Sequence, residues 1–251
     1  MFFTEFDQFT LLTIAVAFVI AGISKGVIGF GLPLISIPVM ATVMPVPAAI
    51  ALTAAPILFS NIFQTFQGGR HGAALRRFWP LVIMMIAGVL IGAQILTRAD
   101  HDTIAVIVGT LLLCFVAMQF LSIQPDISRE AERRLNPVIG IVSGLLGGVS
   151  SMFGPITISY LVALKLPKDE FISTIGLFYL IGIVPLYATL VITGVIARDE
   201  IIGSVLACIP LYAGLLFGTW LRRHISQTLF QRGLLVALVF VSLNLIRRGL
   251  V

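Results

Sequence analysis

KGVIGFGLP, from Lys25 to Pro33, interrupts an apolar stretch that runs from Phe9 to Met44. The stretch is too long for one membrane crossing, which takes about 20 mostly apolar residues at roughly 1.5 Å of rise each. Glycine weakens helix by removing side-chain restraint, and proline removes a backbone donor. The reading is therefore two short helical arms joined by an unwound bend. Val138 to Leu164 has the same form and is broken at GGVSSMFGP, from Gly147 to Pro155.

Outward from these breaks, six further runs are long and apolar enough to cross a bilayer: Ala48–Phe66, Phe78–Leu96, Thr103–Ile123, Phe171–Thr193, Ile201–Leu221 and Leu229–Ile246. Helices are the default, because isolated strands leave backbone groups unpaired in lipid. Composition agrees: of 251 residues 59% are hydrophobic and 11% charged, and mean hydropathy is +1.09. A soluble domain carries roughly a quarter charged residues, and a large core does not remove the need for a polar surface. The net charge of +5 sits in short clusters between apolar runs, such as Arg76 and Arg77, Arg133 and Arg134, and Arg222 and Arg223. That is the pattern of cytoplasmic loops beside membrane helices, and it argues against nucleic acid as a partner. The N-terminal decapeptide has Glu5 and Asp7 but no Lys or Arg, so Leu11–Ser24 reads as a retained membrane segment rather than a signal peptide.

The two broken regions are related. GISKGVIG from Gly22 aligns with GIVSGLLG from Gly140, and AGVLIG (Ala87–Gly92) aligns with AGLLFG (Ala213–Gly218) in the same order. The expected fold is an all-α polytopic membrane protein of two inverted repeats, each a broken or re-entrant helix pair plus three transmembrane helices. The first repeat spans residues 1–124, a cytoplasmic linker 125–136, and the second repeat 137–251. Charge favours inversion. With the Arg70–Arg77 loop inside, Arg70, Arg76, Arg77, Arg129, Arg133, Arg134, Lys165, Lys168, Arg222 and Arg223 lie inside, and Arg98, Arg198, Arg247 and Arg248 outside. The arrangement in which each broken region crosses once separates the charges less well. Both termini are then non-cytoplasmic.

Paired broken helices in inverted repeats build substrate sites near the bilayer midplane in many secondary transporters. The chemistry of these breaks suggests an anion. A helix that starts after a bend presents free N–H groups and a positive dipole end. Gly29, Gly31 and Gly154 admit a ligand close to those donors, and the Ser150 and Ser151 hydroxyls can add to them. Lys25, beside the first break, is the lysine that falls in an apolar region. It either meets an anionic partner or snorkels from the end of a short arm. Asn61 and Gln64 lie three apart on one helical face, which lines either a cavity or a helix contact. Every Asp and Glu falls outside the apolar segments, which leaves proton or sodium coupling without an evident carrier. Cys114 and Cys208 have no CxxC partner, and the three histidines fall in expected loops, so no metal site or cofactor is expected. HExxH, GxSxG and P-loop patterns are absent, so no catalytic residue is assigned.

KGVIGFGLPLISIP, its partner GLLGGVSSMFGPI, and LPKDEF from Leu166 resemble the sulfite exporter TauE/SafE family of membrane permeases. The resemblance runs from about Phe9 to Ile246. The second break keeps the family's GGxxxxxGP form at Gly147, Gly148, Gly154 and Pro155, whereas Leu32 stands where members often carry another glycine. The resemblance implies a multi-pass plasma-membrane permease for a small sulfur-containing anion such as sulfite, sulfoacetate or a related organosulfonate. The expected partners are that anion and the lipid bilayer, with an oligomer left open. The alternative is a non-transporting membrane scaffold.

Overall fold

Among the residues that the computed structural model describes, 7–67, 71–121 and 127–250, all regular structure is helical. The elements are α1 (Gln8–Ile28), α2 (Leu32–Met40), α3 (Val46–Leu52), α4 (Ala54–Gln67), α5 (His71–Arg98), α6 (His101–Leu121), α7 (Arg129–Ser150), α8 (Gly154–Ala163), α9 (Lys168–Ile192), α10 (Arg198–Leu221) and α11 (Gln227–Leu250). Within them α1, α5, α6, α9, α10 and α11 are long and apolar enough to cross a membrane. Large apolar side chains point outward from the middle of these helices, with Leu216 71% and Phe240 69% exposed. Water would penalise such a surface and hydrocarbon does not. The chain is a multi-pass membrane protein.

Three details differ from the sequence expectation. The first arm is not short: α1 is a 21-residue helix that continues through Lys25 to Ile28, and the break shrinks to Gly29–Gly31. The second break shrinks likewise to Ser151–Phe153, because α7 runs on through Gly147 and Gly148. Third, the run from Ala48 to Phe66 is not one straight span but α3 and α4, separated at Thr53. Pro56 explains this, since its ring crowds the carbonyl four residues back, at Leu52, and it offers no N–H.

Gly26 and Gly148, which looked like helix breakers, and other glycines of these helices are packing surfaces. The chain divides into two compact units, formed by the described residues of Met1–Ile57, Ala99–Leu121 and Gly194–Val251, and of Leu58–Arg98 and Ser122–Thr193. In the first unit α1 lies along α10 and α6 along α11. A Cβ on Gly22 would come within 2.2 Å of the Leu211 carbonyl, one on Gly26 within 2.6 Å of the Leu215 carbonyl, and one on Gly218 within 2.3 Å of the Ile23 carbonyl. In the second unit α7 lies along α5, with α9 against α5 as well. A Cβ on Gly144 would stand 2.1 Å from the Met85 carbonyl, one on Gly148 2.5 Å from the Val89 carbonyl, and one on Gly92 2.3 Å from the Leu145 carbonyl. Glycine in a helix interior costs about 1 kcal/mol relative to alanine, and here backbone-to-backbone approach offsets it.

The glycine contacts inside the two units match position by position: Gly22 meets Gly214 and Gly26 meets Gly218, as Gly144 meets Gly88 and Gly148 meets Gly92. The sequence alignment sets Gly22 against Gly140, whereas the packing sets Gly22 against Gly144 and Gly26 against Gly148. The difference is one helical turn. A four-residue slide keeps every glycine on the same helix face, so the sequence match survives it.

Candidate functional site

At the first break Gly29 ends α1 with φ 86°, and its N–H donates to the Lys25 carbonyl at 2.9 Å. This is the left-handed cap that glycine supplies without a Cβ penalty. Lys25 therefore belongs to the last turn of α1, where a cation meets the negative end of the helix dipole. Gly31, with φ 107°, opens α2, and Pro33 follows in the first turn. No side chain caps α2. Ser24 is fully buried, and its Oγ donates to the Phe30 carbonyl at 3.2 Å. A Cβ on Gly31 would stand 2.8 Å from that Oγ. Ser24, a residue the sequence did not single out, thus packs at the first break against Phe30 and Gly31.

The second break uses different chemistry for the same purpose. Ser151 ends α7 in the left-handed region, φ 60° and ψ 10°, and its N–H donates to the Gly147 carbonyl at 2.6 Å. That conformation is uncommon for a residue with a Cβ. The Ser150 hydroxyl is engaged, donating to the Leu146 carbonyl at 2.7 Å and accepting from the Met152 N–H at 3.2 Å. The Ser151 hydroxyl is buried and, among the described residues, has no hydrogen-bond partner. Leaving such a group unsatisfied costs about 1–3 kcal/mol. The Phe153 ring lies over Gly147 and Gly182, and edge-on to Tyr179 with centroids 5.8 Å apart. Gly154 opens α8 with Pro155 behind it, again without a side-chain cap. A Cβ on Gly154 would meet the Tyr179 hydroxyl at 2.4 Å, so only glycine fits.

Asn61 is buried in α4 and Gln64 half-buried. Among the described residues neither side chain is hydrogen-bonded to Ser150, Ser151 or Gly154. Thr174 on α9 is a second buried hydroxyl without a partner, and nothing in the sequence distinguishes it.

Glu132 was also hidden in the sequence, within the charged run of residues 129–134 that opens α7. It is buried, and Arg77 of α5 holds it with two bonds, Nε to Oε1 at 2.7 Å and Nη2 to Oε2 at 2.8 Å. Arg77 also reaches Glu170 of α9 at 3.4 Å. Tyr160 of α8 donates to Asn136 Oδ1 at 2.7 Å. This network ties the short helix after the break to the three longer helices of its unit.

Residues 14–245, which include both breaks, match the sulfite exporter TauE/SafE family. The chain belongs to that family. No curated protein and no solved structure matches it. TauE/SafE proteins are membrane transporters of sulfite and related sulfur anions rather than enzymes, so the uncapped helix starts and the orphaned hydroxyl belong to a transport protein.

Proposed function

We propose that this TauE/SafE protein is a permease for a small sulfur oxyanion, such as sulfite, sulfoacetate or a related organosulfonate, bound at its glycine-rich helix breaks. The Ser151 hydroxyl carries the reading: among the described residues it is buried without a partner, three residues before Gly154, where α8 begins without a side-chain cap. A sulfonate or sulfite oxygen supplies the acceptor that this hydroxyl lacks, and the N-terminal dipole favours its charge. Ser150, Ser151 and Gly154 are assigned to one break, and Lys25, Gly29 and Gly31 to the other, with Asn61 and Gln64 lining the path. The two repeats run inverted, and the protein resides in the plasma membrane with both termini outside the cytoplasm.

Flux of sulfite and sulfoacetate in proteoliposomes tests the reading. Ser151→Ala removes one hydrogen bond to a charged ligand, roughly 1.5–3 kcal/mol, which corresponds to a tenfold to hundredfold loss of apparent affinity. The same change removes an orphaned hydroxyl from the ligand-free protein, so stability should not fall. Unchanged flux in Ser151→Ala would overturn the site, and no flux of any sulfur anion by the wild type would favour the scaffold.

A further inference from the structure

None of the residues lining one cleft of the second unit belongs to a break. The cleft encloses about 970 Å³ where the N-terminal turns of α5 and α7 lie side by side, and Arg76, Arg77, Trp79, Arg129, Glu132 and Arg133 line it. Arg77 is neutralised by Glu132 and Glu170. Arg76, Arg129 and Arg133 are exposed, and among the described residues none of them has an acidic partner within ion-pair distance. Arg129 and Arg133 stand one turn apart on the same face of α7, where like charges repel. They also occupy the first turns of that helix, whose dipole end is positive. Three guanidiniums gathered against both effects favour an anionic occupant, and their planar donor forks match the oxygens of a phosphate.

The surroundings identify what carries the phosphate. Trp79, 59% exposed, stands on the rim of the cleft, and indoles partition to the headgroup level of a bilayer. Beyond it Ile83 and Leu90, also exposed, continue along the same side of α5, at spacings of four and then seven residues that keep them on one face. We propose that this cleft binds the phosphate of an anionic phospholipid, with an acyl chain lying along Trp79, Ile83 and Leu90. On a membrane span such a stripe already faces acyl chains, so the phosphate held at its polar end is that of a lipid whose chain lies there. The proposal stands independently of the anion site at the breaks.

The test uses the full chain in nanodiscs of phosphatidylcholine, with and without phosphatidylglycerol, reading unfolding temperature and, by native mass spectrometry, retained lipid. Wild type is expected to gain several degrees from phosphatidylglycerol and to retain it. R76Q/R129Q/R133Q should lose the gain and retain about tenfold less lipid, whereas R222Q/R223Q, an exposed arginine pair beyond α10, should behave as wild type. Arg77 is left alone because its ion pairs are internal. If the triple variant does not fold, R129K/R133K keeps the charge and loses the fork geometry, and it should retain less lipid than wild type. Equal gain and retention in wild type and cleft variants would overturn the proposal. So would equal stabilisation of wild type in detergent by inorganic phosphate or glycerol phosphate, which would make the ligand a soluble anion.

Discussion

Replacing Gly88 by alanine tests the packing that frames the second break. An added Cβ would lie 2.4 Å from the Ile141 carbonyl oxygen and 2.7 Å from the Leu145 nitrogen, both backbone atoms of α7. A carbon rests no closer than roughly 3.3 Å to such an oxygen, so α5 must withdraw from α7 by about 0.9 Å. A gap of that size forfeits a quarter to a half of each dispersion contact along the shared face. Overpacking of this kind costs about 1–3 kcal/mol. Alanine's better helix propensity returns at most about 1 kcal/mol of it. Gly233 of α11 is the internal control, because a Cβ there meets nothing within 4 Å. Gly233→Ala should be neutral or slightly stabilising, and Gly214→Ala, 2.2 Å from the Val19 carbonyl, should resemble Gly88→Ala. Reversible unfolding in mixed micelles, titrated with a denaturing detergent, separates the cases. If Gly88→Ala proved as stable as Gly233→Ala, the helices would not approach as closely as the structure has them.

Lys25→Met keeps the stem and removes the charge. It should abolish or sharply weaken sulfur-anion flux while the protein remains folded, and undiminished flux would mean that Lys25 only snorkels. For a permanently ionised sulfonate, uniport flux in proteoliposomes should follow a clamped potassium-diffusion potential, worth about 2.3 kcal/mol per charge per 100 mV, and ignore an imposed pH gradient. Uphill movement driven by pH at zero voltage would instead demand a proton carrier. Cysteine tags at both termini should react with an impermeant reagent added to intact cells, and protection of either one would refute the inverted arrangement. Asp100 is held below the usual carboxylate value by bonds from the Thr103 N–H and hydroxyl, and Asp7 likewise by Thr10. Because these values are depressed in the folded state, the two caps contribute fully above the unfolded carboxylate value, near 3.8. Their contribution is lost as pH falls through the folded values. Amide protection at the starts of α1 and α6, after correction for the intrinsic pH dependence of exchange, should therefore be flat from neutral pH down to about 5 and fall only in stronger acid.

Local chemistry made the breaks legible. Glycines followed by a proline, flanked by apolar runs, mark an interruption whatever the rest of the chain does. How far each break extends was not legible, because Gly22, Gly26, Gly144 and Gly148 stay helical for a reason that lies on another helix. A small-residue face announces that some backbone comes close, but not which one. That α1 packs on α10 and α7 on α5 is therefore a property of the fold that neither half reveals alone. Glu132 was concealed for a related reason. Amid arginines on its own helix it reads as a solvated charge, and its partner, Arg77, stands 55 residues away in sequence. Ser151 was visible as a candidate donor, whereas the engagement of Ser150 depends on the αL turn that follows it.

The packing register carries one further consequence for the chemistry of the breaks. With Gly22 set on Gly144 and Gly26 on Gly148, the segment from Lys25 to Pro33 falls on that from Gly147 to Pro155. The two prolines coincide, and so do the left-handed residues Gly29 and Ser151. Lys25 then takes the place of Gly147, and Gly31 the place of Phe153. In the second unit these two positions are coupled, since the Phe153 ring covers Gly147 so closely that a Cβ would stand 2.1 Å from it. A side chain at 147 and a ring at 153 exclude one another. The first unit reverses both choices: it drops the ring at Gly31 and carries a long cationic side chain at Lys25. A side chain at Lys25 therefore requires that its counterpart position, Gly31, carry no ring. Under the proposed function, Lys25 gives the first break a full positive charge that offsets the cost of desolvating an anion, whereas Ser151 gives the second a directional donor without one. A permeant ion must be held firmly enough to enter and loosely enough to leave. A lysine at both breaks would strengthen the hold, whereas a ring at both would remove the charge that draws the anion in.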